Sequence, residues 1–372
     1  FPAVIEITPY GAQRCSNLGR IYAARGYLFL AVDCRGRYRS AGEWQPLVYD
    51  REDGHAVIEW MAAHPLCNGL LGTRGHSYSG TNQLLASIDA PAALRAMVVG
   101  VAPGDPFENV PFQGGAYDLN DLFWLFDMTG RVCLPGEDEA PAEEEDDGEG
   151  DEQDDEDEED SPEEQEHDRL IDAALAARPF GELDLRLGIR HEIFREWISH
   201  WCLDEYWQAR SVGPHLHRSS AAALFISGWW DGNGRGATAF YRGLRERAAE
   251  PALRERQRLL IGPWNHDLHA PDCDDLPAHE RIAVERGALR DSLNDELAWF
   301  DRELKGIEPG PSAAGRVTLY LTGLHRWMDF EDWPPPGNEE LVLYLGNTNG
   351  GKRGELAREP GDSGPSCSSY TF

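Results

Sequence analysis

The segment Leu70-Leu71-Gly72-Thr73-Arg74-Gly75-His76-Ser77-Tyr78-Ser79-Gly80-Thr81 decides how the chain is read. Leu70–Gly75 has the pattern of a short strand, and Ser79–Ile88 that of a helix. Ser77 falls at the turn between them. A nucleophile on such a turn sits in strained backbone, and the side chains two before and two or three after it must be small. Gly75, Ser79 and Gly80 meet that requirement. The helix that follows aims its N-terminus at the site, where it favours a developing negative charge. The backbone N–H of Tyr78 is then the first oxyanion donor. The bland alternative is an ordinary serine in a tight turn, so the reading depends on what surrounds it.

Outward from this turn, strands and helices alternate. Ala3–Thr8 is apolar and β-branched, and Tyr27–Val32 is a near-continuous apolar run. Asp53–Ala63 has helical spacing, with Val57, Ile58 and Met61 on one side, and Leu94–Val101 is another buried strand. Such an order predicts a parallel doubly wound sheet. Residues 105–218 break the rhythm; rich in Trp, Phe and helix formers, they predict a helical cap over the sheet. Strands resume at Ala221–Ser227 and Leu259–Gly262. Leu289, Leu293, Leu297, Phe300 and Leu304 predict one apolar helical stripe. After the breaker Pro309-Gly310-Pro311, the runs Val317–Leu321 and Leu341–Leu345 read as strands of a separate β domain. The expected organisation is therefore a sheet domain from 1–104 and 219–312, a cap at 105–218, and a β domain beginning at 313–372.

A serine nucleophile needs a base, and the base an orienting acid. On a sheet of this kind they follow in the order Ser, acid, His, each just past a later strand. Asp231, in Gly228-Trp229-Trp230-Asp231-Gly232, follows Ala221–Ile226, with the flanking tryptophans as a shield against water. His266, in Gly262-Pro263-Trp264-Asn265-His266, follows the next strand; His269 competes as base and Asp267 as acid. The loop after the first strand holds Thr8-Pro9-Tyr10-Gly11 in place of a His-Gly-Gly run. Tyr10 can donate its phenol to the oxyanion or act as an aromatic plug, and the residues alone leave both open.

The 372 residues carry a net charge of −32, of which −22 lies in residues 137–168. That run has no Lys or Arg and reads as a solvated, disordered insertion. It lacks the spaced carboxylates and turn glycine of a calcium loop. The remaining −10 disfavours nucleic acid and anionic membranes as partners. No apolar run is long enough to span a bilayer. Seven cysteines, Cys15, Cys34, Cys67, Cys133, Cys202, Cys273 and Cys367, form no C-x-x-C pair and suggest a reducing, cytoplasmic setting. The chain opens on a strand already under way, Phe1–Ile7, and ends in Gly/Ser-rich sequence, so both ends read as cut.

Taken together, Pro9-Tyr10, Asp33-Cys34-Arg35-Gly36, Gly75–Gly80, Gly228–Gly232, Gly262–His266 and Phe300–Gly306 resemble the Xaa-Pro dipeptidyl-peptidase-like hydrolases. These are also called CocE/NonD hydrolases and include cocaine esterase and α-amino-acid ester hydrolases. The resemblance covers residues 1 to 345, with Cys34 standing where the family more often has Thr or another small residue. It implies an α/β-hydrolase fold with a helical cap and the start of a C-terminal jelly roll. It implies a Ser77–Asp231–His266 triad, Tyr10 as side-chain oxyanion donor and Tyr78 as backbone donor. No metal or organic cofactor is implied, and the partner is a small ester, amide or short peptide. Phe123, Trp124, Phe126, Trp229 and Trp230 are candidates to wall an apolar pocket. Asp105, Glu108, Asp118 and Asp121 are candidates to bind a substrate ammonium. Esterase chemistry is favoured over dipeptidyl-peptidase activity; a non-catalytic binding protein would predict a damaged triad.

Overall fold

A computed structural model describes residues 1–129, 175–176, 178–188, 190–273, 276–308, 315–347 and 354–359. The acidic run 137–168, Cys133 and Cys367 lie outside the described residues. The core is an eight-stranded sheet: β1 (Ala3–Thr8), β2 (Leu28–Asp33), β3 (Leu71–His76), β4 (Leu94–Gly100), β5 (Ala222–Gly228), β6 (Arg258–Gly262), β7 (Val317–Leu321) and β8 (Arg326–Phe330). Their order across the sheet is β8-β7-β6-β5-β4-β3-β1-β2. Neighbours pair parallel except β7 with β8. β5 is buried along its whole length, as an apolar strand covered on both faces must be.

Helices cover the faces: α1 (Ser16–Ala24), α2 (Asp50–Ala62), α3 (Tyr78–Ala86), α4 (Leu119–Thr129), α5 (Glu192–Ser199), α6 (Gly234–Arg247), α7 (Ala278–Ala288) and α8 (Ser292–Lys305). Every residue of α3 is buried, so the helix behind Ser77 is wedged into the core. Phe112, Phe126, Phe194, Trp197 and Trp207, all between β4 and β5 in sequence, close a second apolar cluster apart from the main core. Among the described residues, no helix is long and apolar enough to cross a membrane.

Three expectations change. Val317–Leu321 is not a strand of a separate domain; it pairs parallel with β6 inside the main sheet. An apolar run reports burial, not which sheet buries it. Leu289 leaves the α8 stripe: it caps the end of α7 and is 81% exposed. Of Leu341–Leu345, only Tyr344 and Leu345 enter a strand, Tyr344–Asn347, which pairs with Gly354–Ala357.

Candidate active site

Two strand pairings bring the candidate residues together. β1 and β3 are neighbours, so the loops after Thr8 and His76 emerge side by side, carrying Tyr10 and Ser77. β5 and β6 are neighbours with Gly228 opposite Gly262, so Asp231 and His266 leave the sheet together. The two loops are stitched by Trp229 N–H to the Gly262 carbonyl (3.0 Å) and Trp230 N–H to the Trp264 carbonyl (3.1 Å). A Cβ at Gly228 would collide with that Trp264 carbonyl, which explains the glycine.

Ser77 has φ 56° and ψ −125°, a strained backbone for a residue with a side chain. Its N–H is held by the Gly100 carbonyl at 2.9 Å, and its own carbonyl accepts from Gly80 N–H at 2.8 Å. A Cβ at Gly75 would strike Ser79, and one at Gly80 would press on Ala102 and the Gly100 carbonyl. The need for small residues around the turn is thus met by contact.

His266 Nδ1 lies 2.9 Å from Asp231 Oδ1. The Asp231 side chain is fully buried, whereas that of His266 is 45% exposed. Ser227 Oγ donates to Asp231 Oδ2 (2.7 Å) and Asn233 N–H to Oδ1 (3.0 Å), which fixes the carboxylate. The hydrogen bond to Asp231 raises the His266 pKa, against an opposing effect of burial. His269 and Asp267 do not join this pair; their N–H groups are turned to Asn265 Oδ1.

Tyr78 N–H donates to Tyr10 Oη at 3.3 Å, and the Tyr10 phenol also meets the Ser77 side chain. Burial raises the Tyr10 pKa, so the phenol keeps its proton and remains a donor. Tyr10 N–H is tied to Thr8 Oγ1 (3.1 Å), and Arg37 Nε to the Pro9 carbonyl (3.0 Å).

Ser77, Tyr78, Asp231 and His266 line one cavity of about 360 Å³, roofed by Trp124, Trp197 and Trp207. Trp124 stacks on Tyr78 with ring centroids 5.8 Å apart. Asp118 and Asp121 also line it. Burial, then the Asp118 charge, pushes the Asp121 pKa well up, and Asp121 Oδ2 has no hydrogen-bond partner among the described residues.

Several pocket candidates fall elsewhere. Trp229 donates its indole N–H to the Tyr320 carbonyl at 2.6 Å and packs near Trp333; it and Trp230 are 40% and 42% exposed and do not line the cavity. Phe123 is half-buried away from the cavity lining, and Phe126 is spent in the second apolar cluster. Asp105 accepts Val212 N–H and Gly213 N–H, each at 2.6 Å, and Glu108 does not line the cavity. Asp50, which accepts from the Tyr78 phenol, and Trp197 and Trp207 have no signal in the sequence: nothing in their spacing links them to a turn dozens of residues away.

Residues 1–267 match the family described as X-Pro dipeptidyl-peptidase (S15 family). Cocaine esterase of Rhodococcus sp. (strain MB1 Bresler) is 24% identical over 326 residues, 87% of this chain and 52% of that protein. The chain thus spans about half the length of the curated relatives it matches. An α-amino-acid ester hydrolase structure superposes with a TM-score of 0.70 at 19% identity, covering 96% of this chain and 58% of that one. An aminopeptidase from a marine-sediment Thaumarchaeota archaeon gives 0.68 at 22% identity, with the same coverage. At these identities the structures speak for the fold.

Proposed function

The chain belongs to the X-Pro dipeptidyl-peptidase (S15) family, and from that premise we propose that it is a serine hydrolase cleaving esters through an acyl-enzyme. The observation that carries the reading is the Asp231–His266 hydrogen bond on the wall of the cavity that also holds Ser77. His266 Nε2 takes the Ser77 proton as Oγ attacks the ester carbonyl. Asp231 holds Nδ1 protonated and stabilises the imidazolium. Tyr10 Oη and Tyr78 N–H turn from each other to the oxyanion. Collapse expels the alcohol, which leaves with the proton from His266. Water, deprotonated by His266, then frees the acid and restores Ser77. This sequence needs no metal or organic cofactor. The three tryptophans of the roof favour aromatic or branched groups in the substrate.

A second reading, hydrolysis of aminoacyl or dipeptidyl substrates, draws on Asp121. A buried carboxylate oxygen without a partner in the cavity wall suits a substrate ammonium. The test is fluorophosphonate labelling followed by a substrate panel. Label is expected on Ser77, and Ser77→Ala should lose it with the fold retained; label on another serine would sink the assignment. Phenyl esters turning over faster than Ala-Pro and Gly-Pro anilides would support the first reading, and the reverse order the second.

A further inference from the structure

The opposite edge of the same sheet holds another cavity, of about 80 Å³. Arg258, Arg290, Arg302, Arg316 and Trp299 line it, together with the Asp295 carboxylate that Arg290 pairs with. Arg258 opens β6, whereas His266 lies past the other end of that strand, and no residue lines both cavities.

Three buried donors here have no acceptor among the described residues: Arg258 Nε, Arg302 Nη2 and Trp299 Nε1. All three are N–H groups, so only an acceptor completes the set. Trp299 is 4% exposed, and its ring carries the Arg302 guanidinium at 4.6 Å, which fixes both orientations.

Charge points the same way. Arg290 pairs with Asp295 (2.7 Å), and Arg316 with Glu255 (2.7 Å). Arg302 and Arg256 share a single carboxylate, Glu303. Arg258 forms no ion pair among the described residues; its Nη1 donates to the Glu255 and Gln257 carbonyls, each at 2.9 Å. Arg256, Arg258 and Arg302 thus have one carboxylate between them, in a chain of net charge −32. Burial and then the Arg302 charge push the Arg258 pKa down to about 10, the response of a guanidinium short of negative charge.

We propose that this cavity binds a small tetrahedral oxyanion of the phosphate or sulfate class, held by Arg258, Arg302 and the Trp299 N–H. Guanidinium forks match such an anion in geometry and charge. The volume is under a quarter of the Ser77 cavity, which selects an anion without an organic substituent.

Calorimetric titration of the folded protein with inorganic phosphate at constant ionic strength tests the site. A saturable one-to-one isotherm and a raised Tm are expected, with acetate and chloride giving neither. Arg258→Gln should weaken phosphate binding about tenfold and leave ester hydrolysis unchanged. Should that variant fail to fold, Arg258→Lys keeps the charge, loses the planar fork, and should still bind more weakly. Absence of saturable binding to the wild-type protein would overturn the proposal. So would an equal response to acetate, or phosphate affinity unaltered in whichever variant folds. None of these outcomes bears on Ser77, because the proposal does not rest on the esterase reading.

Discussion

The Tyr78 phenol donates to Asp50 Oδ2 at 2.7 Å, and the same phenolic oxygen accepts the Leu47 N–H at 2.8 Å. Tyr78 is the residue whose backbone N–H faces Tyr10, so its side-chain anchor also sets the direction of that N–H. Asp50 sits in the first turn of α2 and is half-buried, with the pKa pushed up to about 6 by burial.

Replacing Asp50 should therefore separate anchoring from charge. Asp50→Asn keeps an acceptor for the phenol and should hold kcat within about threefold. Asp50→Ala removes it and should lower kcat about tenfold or more with little change in KM, since a displaced oxyanion donor acts in the transition state. Steady-state kinetics on a phenyl ester check this; equal kcat in both variants would deny Asp50 the role. The charge shows in stability instead. A raised folded pKa means that the wild-type protein loses stability as pH climbs from about 4 through about 6. Asp50→Asn should remove that part of the pH dependence in denaturant titrations.

The pH dependence of turnover should report the Asp231–His266 pair. In the proposed mechanism His266 must be neutral to accept the Ser77 proton, and its hydrogen bond to Asp231 raises its pKa above the ordinary histidine value. Activity should thus fall on the acid side at a pH above that value, about 6.5. Asp231→Asn removes the raising influence, so the acid limb of kcat/KM should move down while kcat drops by about 10⁴. An acid limb that stays in place in Asp231→Asn would show that another group controls it.

Tyr10→Phe isolates the side-chain donor. The ring keeps its packing, and only the phenolic O–H that meets Tyr78 N–H is lost. Removal of one oxyanion donor costs about 10²–10³ in kcat. The loss should fall on kcat, with KM little changed and fluorophosphonate labelling of Ser77 slowed. A KM effect alone would instead mark Tyr10 as an aromatic plug.

What could be read in advance follows from the physics of parallel strands. Ser77, Asp231 and His266 each stand just past a strand, and parallel strands open their C-terminal ends on one edge, so position along the chain predicted position in space. The Gly75–Gly80 spacing was legible because steric exclusion acts within six residues. Asp50 was not, because its contact with Tyr78 spans 28 residues and an acid in a first helical turn already has a local explanation. Trp229 and Trp230 misled for a similar reason. Adjacency to Asp231 in sequence says nothing of where an indole points, and Trp229 is drawn to the Tyr320 carbonyl on β7. Val317–Leu321 reads as part of a separate domain because its partner strand lies more than fifty residues earlier in the chain.

Beneath the Ser77 turn lies a buried ionic cluster, and acid stability should expose it. Arg74, on β3, reaches Glu6 on β1 (2.5 Å) and Glu296 on α8 (3.1 Å). Glu296 also accepts from Tyr22 Oη (3.1 Å) and lies 3.2 Å from His76 Nε2, the residue next to Ser77. Burial alone would raise the Glu296 pKa, but Arg74 and His76 outweigh it and bring the carboxyl down to about 2. A depressed folded pKa confers stability that is complete above the unfolded value, near 4.3, and is lost as pH falls toward 2. The shift corresponds to about 3 kcal/mol. Glu296→Gln leaves Arg74 with Glu6 alone and should cost about 3–5 kcal/mol at pH 7. Its stability should then fall less steeply than that of the wild-type protein between about pH 4.5 and pH 2. Denaturant titrations at closely spaced pH values decide the matter. Parallel curves for the two proteins across that interval would mean that Glu296 is not the group that acid releases.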